Sequence, residues 1–464
     1  MPKSYRSWVT QDVFCDFMAS RSKETLYFHD YEAGGTEAKW VPPLEFAGIR
    51  TDLNLNIIDE PMDIYCRLHG DKIPHPVAIQ ITKISPLMCY LSGIPEPIFF
   101  REILREMMLP ETCSLGYNSI GYDDEVTRFG LWRNLLPVYP REYANGNSRW
   151  DLVDVTAAFK ALNVKGIKWP VIEDKVSLRL EHLCSENDVT QDNAHNALDD
   201  VKALIGWAKI LKAADQTLWE YLYLNRKKVS VKGKFRRGNF QYACKITYGA
   251  DMDYHSPVLI LGQVGGEANK FATLRVKDIQ KVRDCWSLSS EELSKRLFST
   301  KEELEQQGVD RPPLDTVMIN KCPIMIPPEM MVEYGVMSQD DVEQVKAKAL
   351  AIYGQTEFVN KLIGVFEQSD EFPKVPAEES LYAEGFPSRK DEQNIATLMG
   401  SSVSQAFEQP MLWDNAVYSD LYTLCRYKLN GDGVALTNAE EKDWKEMRKR
   451  LLSRDRGLGK HDSG

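Results

Sequence analysis

Several features are scarce in this chain of 464 residues, and each scarcity argues against a class of function. No apolar run approaches the roughly 20 residues that a membrane-spanning helix needs, so no membrane partner is expected. The cysteines stand scattered at 15, 66, 89, 113, 184, 244, 285, 322 and 425, with no Cys-x-x-Cys among them. That spacing fits reduced thiols and a cytoplasmic setting better than a disulfide framework or a zinc site. Residues 1–23 mix Lys and Arg with Asp12 and Asp16 and hold no continuous apolar segment, so they do not read as a secretory signal. A Gly-rich phosphate loop, a Gly-x-Ser-x-Gly elbow and an internal repeat are all missing. Positive charge is in deficit, with 57 Lys and Arg against 68 Asp and Glu and a net charge of −11. The surface as a whole is therefore no magnet for nucleic acid. A local basic groove can still supply phosphate contacts while clustered acids pull the total negative.

What is present is ordinary in bulk: 27% charged and 43% hydrophobic residues, in a chain long enough for several domains. The informative stretch is Thr25-Leu26-Tyr27-Phe28-His29-Asp30-Tyr31-Glu32. Read as a β-strand, its side chains alternate faces, so Asp30 and Glu32 point the same way. Two carboxylates at a buried strand end repel each other unless a cation sits between them, and oxygen ligands of this kind suit Mg²⁺ or Mn²⁺. The plainer alternative is a strand running out into a solvated acidic turn. Ala33-Gly34-Gly35 follows, a backbone able to approach a ligand closely.

Further strands are expected at 46–52 and 62–67 and a helix at 98–108. A short strand at 114–118 then precedes a helix opened by Tyr122-Asp123-Asp124. One acid at a helix start caps backbone N–H groups; two leave one for other work. Residues 149–162 read as a helix, and the segment from Asn193 starts a long helix through Ile210. His195 and Asp200, five residues apart, do not share a helical face, so they converge only if His195 lies on the entry loop. Alternating strands and helices indicate an α/β layer domain over 25–215, after an N-terminal arm at 1–24. Beyond it, Arg226-Lys227-Lys228, Lys232, Lys234 and Arg236-Arg237 interleave with Phe235, Phe240 and Tyr242. This reads either as a single-strand platform, with cations tracking phosphates and rings stacking on bases, or as a solvated linker. Strand-like runs at 240–248, 257–263, 271–276 and 316–321 make 216–370 β-rich with helical insertions. Residues 371–452 are expected to be helical and 453–464 a disordered tail.

Asp30, Glu32, Asp123, His195 and Asp200, in that order, resemble the DEDD exonuclease superfamily in its His-bearing branch. The segments His29-Asp30-Tyr31-Glu32, Ile49-Arg50-Thr51-Asp52, Gly116-Tyr117-Asn118, Asp123-Asp124-Glu125-Val126-Thr127-Arg128, Asn147-Ser148-Arg149-Trp150-Asp151-Leu152, Arg179-Leu180-Glu181-His182-Leu183 and Ile319-Asn320-Lys321-Cys322-Pro323 are similar to the bacterial exodeoxyribonuclease I family. The resemblance implies an RNase H-like exonuclease domain, an SH3-like β domain and a helical C-terminal domain, together forming a monomeric clamp on single-stranded DNA. It implies hydrolysis from the 3′ end to 5′-mononucleotides. Two Mg²⁺ ions roughly 3.5–4 Å apart would serve this chemistry, with Mn²⁺ able to substitute. Asp30, Glu32, Asp123 and Asp200 would hold them, and His195 would take the proton of the attacking water. Arg128 matches in position an arginine near the DNA backbone, and Lys227, Lys234 and Arg236 would extend the track.

Departures from the family pattern are visible. The family carries Thr-Phe after the acidic pair, against the terminal nucleotide; here Ala33 and Gly34 stand there, and Trp40 is a candidate replacement for the ring. An Arg of the pocket for the acidic tail of single-stranded DNA-binding protein is replaced by Asn163, with Lys165 or Lys168 as substitutes. Two other readings stay open: the same chemistry on RNA or mixed 3′ ends, and a nucleic-acid-binding clamp without activity.

Overall fold

A computed structural model describes residues 24–190, 196–277, 279–367, 375–408 and 410–452. Almost all of the expected arm, the whole tail and His195 lie outside the described residues. By compactness the chain divides into two units assembled from distant segments: Met1–Ser148, Thr190–Ile205 and Phe372–Gly464 in one, Arg149–Val189 and Gly206–Glu371 in the other.

The first unit is built on strands β1 (Thr25–Ala33), β2 (Pro43–Thr51), β3 (Met62–Tyr65) and β4 (Thr112–Gly116), ordered β3-β2-β1-β4. β1 runs antiparallel to β2 and parallel to β4. Aromatic and β-branched residues favour this pleated, two-sided burial. The period of two then sorts the faces: Tyr27, Tyr31 and Phe46 enter one core with Phe99, Phe100 and Phe129, leaving Asp30 and Glu32 on the opposite face. The last three rings belong to helices α1 (Glu96–Met107) and α2 (Asp123–Arg133). Their approach depends on Gly130, where a Cβ would sit 2.0 Å from the Phe100 ring.

Buried Arg50 ties the sheet from within. Its Nη1 donates to Thr25 and Thr112 at 2.8 and 2.9 Å, and its Nη2 donates to the Glu106 carbonyl at 2.7 Å. α3 (Ala197–Ala214) starts in this unit, and α4 (Arg389–Gly400), α5 (Ala416–Lys428) and α6 (Asn438–Leu452) belong to it. Leu398, Tyr418, Leu421 and Cys425 join the core of α1 and α2. Lys428, wholly buried, bridges Asp71 at 3.2 Å and Glu96.

The second unit holds an antiparallel five-stranded sheet of β5 (Phe240–Cys244), β6 (His255–Gln263), β7 (Lys270–Arg275), β8 (Leu314–Met318) and β9 (Ile324–Ile326), ordered β8-β7-β6-β5-β9. Val231, Phe235, Ala243, Val258, Ile260, Phe271 and Met325 form its core.

Two expectations change. Residues 149–151 are not helical: Ser148–Asp151 is a strand, and Asp151 caps the helix Leu152–Ala161 by accepting the Val153 N–H at 3.1 Å. Pro76–Thr82 and Pro86–Ser92, unexpected as helices, each begin with proline after a capping side chain, His75 and Ser85. The eight described cysteines are buried and none forms a disulfide. No described helix is long and apolar enough to cross a membrane.

Candidate metal centre

β1 places Asp30 and Glu32 side by side at its end, just before a bulge between Glu32 and Ala33. α3 brings in Asp200 on its first turn, where Asn196 accepts the Asp199 N–H at 3.2 Å. One carboxylate oxygen from each of Asp30, Glu32 and Asp200 lies within 4.8 Å of the other two. Asp123 is buried at the start of α2 and, of the surrounding charges, acts most strongly on Asp30. It does not belong to the 4.8 Å group.

The duplicated acid at the start of α2 is resolved by Arg141, whose Nη2 donates to Asp124 at 2.8 Å in a buried pair. The N-cap Tyr122 makes no side-chain cap hydrogen bond. Asp123 is held close to Asp30 by a relay: Thr127 Oγ1 donates to the Asp123 carbonyl at 2.8 Å and lies 3.0 Å from Tyr31 Oη on β1.

The electrostatics are those of a site built for a cation. Burial pushes Asp30 well above the usual carboxylate range, and the charges bearing most on it, Asp123, Glu32, Asp200 and Glu45, all push the same way. Glu32 is pushed up to about 8, first by burial and then by Asp200 and Glu45. No basic group figures among the leading influences on either acid. An all-oxygen, uncompensated donor set fits a hard divalent ion, and its charge would hold these acids ionised.

Glu45 is the member that sequence reasoning missed. It is fully buried on β2, directly opposite Glu32 and beside Tyr65 of β3. Burial lifts it to about 7, against a hydrogen bond from Tyr65. A lone acid in the apolar strand Pro43–Thr51 was the available signal.

Other expected site residues are engaged elsewhere. Arg128 is buried: its Nε and Nη2 bind Glu142 at 2.8 and 2.9 Å, and its Nη1 binds Glu125 at 2.7 Å. In this structure it is an internal tie between α2 and Glu142. Gly34 serves packing instead of ligand approach, since a Cβ there would meet Pro42 at 2.7 Å and Pro74 at 2.8 Å. Its N–H and carbonyl are also spent, on Pro42 and His75, while Ala33 is buried in the first unit's core. Lys72 covers one face of the Trp40 ring at 4.7 Å from its centroid.

In the second unit Lys234 bonds the Tyr221 hydroxyl at 2.5 Å and the Met325 carbonyl at 2.9 Å, and desolvation lowers it to about 8. Phe235, Phe240 and Tyr242 are all buried, so they do not form a stacking platform. Arg236 is exposed and Lys227 half-buried. Asn163 adopts a left-handed φ of 50°, and Lys168 pairs with Asp188 at 3.1 Å.

A family profile described as "Exonuclease" matches residues 27–207, and one described as "Exonuclease I SH3-like domain" matches 242–368. The exodeoxyribonuclease I of Haemophilus influenzae is 33% identical over 437 residues, covering 93% of this chain and 91% of the relative. The chain belongs to the exodeoxyribonuclease I family. The Escherichia coli enzyme is 30% identical over 457 residues, with the same two coverages, 93% and 91%. The solved zinc-bound complex of Escherichia coli exonuclease I with single-stranded DNA matches with a TM-score of 0.84 at 30% identity, over 93% of this chain and 91% of that one. An SSB/exonuclease I structure with an inhibitor matches with a TM-score of 0.79 at 28% identity, over the same shares, 93% and 91%. Family membership bears out the expected fold class: an α/β exonuclease domain followed by an SH3-like domain, with helices at the C-terminal end.

Proposed function

We propose that this protein is a metal-dependent 3′→5′ exonuclease that hydrolyses single-stranded DNA to 5′-mononucleotides. The observation that carries the reading is the convergence of Asp30, Glu32 and Asp200 oxygens within 4.8 Å, with only further acids acting strongly on Asp30. Family membership and the single-stranded DNA in the matching Escherichia coli complex support the substrate.

Two Mg²⁺, with Mn²⁺ able to substitute, would serve; Asp30, Glu32, Asp123 and Asp200 are the residues that would hold them. When bound, the ions supply a water that ionises near neutral pH and offset charge developing on the phosphate. His195, two residues before α3 in sequence, accepts the proton of the attacking water. Tyr31 and Thr127 hold Asp123 in place beside Asp30. Arg236 and Lys227 are the remaining basic candidates for the DNA track.

The reading extends to a monomeric, cytoplasmic enzyme with domains at 25–215, 216–370 and 371–452. The acidic tail of single-stranded DNA-binding protein is a second partner, met by Lys165 or Lys168 where Asn163 stands.

A 3′-end series of single-stranded DNA, duplex DNA and RNA, each with Mg²⁺ and with Asp123→Ala as control, tests this. Mononucleotide release from single-stranded DNA is expected from the wild type and not from the variant. Faster decay of RNA would transfer the activity to that substrate, and binding without Mg²⁺-dependent product would leave a clamp without catalysis.

A further inference from the structure

The metal centre has a buried support that none of its predicted ligands provides. Glu45 is fully buried on β2, in register with Glu32 on one side and Tyr65 on the other. Its Oε1 accepts the side-chain amide of Asn196 at 3.2 Å, and its Oε2 faces the backbone N–H of Ala197 at 3.4 Å. The Tyr65 hydroxyl adds a hydrogen bond to the same carboxylate. Asn196 in turn accepts the Asp199 N–H through its side chain at 3.2 Å, and its carbonyl accepts the Asp200 N–H at 3.0 Å.

The chain of contacts therefore runs from β3 through Glu45 to the two residues that open α3, and from them to the backbone of Asp200. A negative side chain at a helix N-terminus is also favoured by the unpaired N–H groups and the helix dipole there. Asp200 comes from a segment far along the chain from Asp30 and Glu32, so something must fix where its helix begins.

We propose that Glu45 is a positioning residue of the metal centre: by anchoring Asn196 and Ala197 to the sheet, it sets Asp200 within reach of Asp30 and Glu32. The inference rests on the metal-centre reading above but assigns Glu45 no contact with metal or substrate. Carboxylates that orient ligands in this way typically matter by about 10–100-fold in metal affinity.

Mn²⁺ binding to the full chain without DNA, followed by the electron paramagnetic resonance of free Mn²⁺, reads the effect without relying on turnover. Glu45→Ala is expected to weaken Mn²⁺ binding by about 10–100-fold. Glu45→Gln keeps one of the two acceptor oxygens and is expected to recover part of the affinity, which also covers an alanine variant that fails to fold. Wild-type affinity in Glu45→Ala with only a lower melting temperature would reduce Glu45 to a helix cap and overturn the proposal. A Gln variant that folds but binds as weakly as the Ala variant would overturn it too, since charge and not anchoring would then be at work. No Mn²⁺ binding by the wild type would instead overturn the metal-centre reading, and this inference with it.

Discussion

The Tyr31 phenol and the Thr127 hydroxyl lie 3.0 Å apart in the interior of the first unit, joining β1 to the first turns of α2. Thr127 spends its proton on the Asp123 carbonyl at 2.8 Å, so Tyr31 is the donor in the bond between them. Tyr31→Phe removes one buried hydrogen bond and should lower unfolding free energy by about 1 kcal/mol. Asp123→Ala leaves the Tyr31–Thr127 bond in place and should abolish turnover while the melting temperature stays near that of the wild type. Denaturant unfolding and a nuclease assay on both variants check the pair; an active Asp123→Ala enzyme would contradict its role.

The acid cluster predicts an unusual pH dependence for the metal-free protein. Glu32 rises from an ordinary 4.5 to about 8 on folding, so the folded state keeps a proton that the unfolded chain releases. Its contribution is therefore fully present below about pH 4.5 and is lost as pH climbs towards 8. Glu45, raised to about 7, acts in the same direction. Thermal melting in chelator should show stability falling across this window. Glu32→Gln should flatten the slope, and added Mg²⁺ should reverse it, because the ion binds the deprotonated acids. A slope identical in wild type and Glu32→Gln would count against the assignment.

Arg128 should matter for stability before it matters for DNA. Arg128→Ala takes from Glu125 its guanidinium and from Glu142 the nearer of two, leaving it Arg141 at 3.7 Å, and removing one member of a buried pair costs about 3–5 kcal/mol. Urea unfolding should show that loss. A variant of wild-type stability with a raised KM for DNA would restore the backbone-contact role.

Gly34 gives a parallel case. A methyl group there meets the Pro42 ring and both the ring and backbone of Pro74, none of which can swing away. Gly34→Ala should cost about 1–3 kcal/mol through this overpacking, read as a lower melting temperature, with turnover per folded molecule kept at low temperature.

How much of this was legible in the sequence depended on whether the pattern carries a direction. Asp30 and Glu32 could be paired because a strand repeats every two residues, and β1 lies where that alternation places it. Asp200 needed only a helix start. Glu45 escapes because the alternating pattern starts at Phe46, whereas Pro43 opens the strand and brings the acid inside. The basic–aromatic run carries no period that says which of its residues are buried. Phe235, Phe240 and Tyr242 went inward, and the basic platform lost its rings. The pairing of Arg128 with Glu142 is not legible because the two lie on separate elements, α2 and the short helical turn Pro140–Glu142. The assembly of the first unit from Met1–Ser148, Thr190–Ile205 and Phe372–Gly464 depends on long-range packing that local patterns do not encode.

The central claim is that carboxylates far apart in sequence meet to hold divalent ions. Anomalous diffraction from crystals soaked in Mn²⁺ tests it most directly. The account predicts a peak bonded to Asp30, Glu32 and Asp200, lost in Asp200→Ala crystals; strong Mn²⁺ peaks elsewhere with none among these three side chains would contradict it.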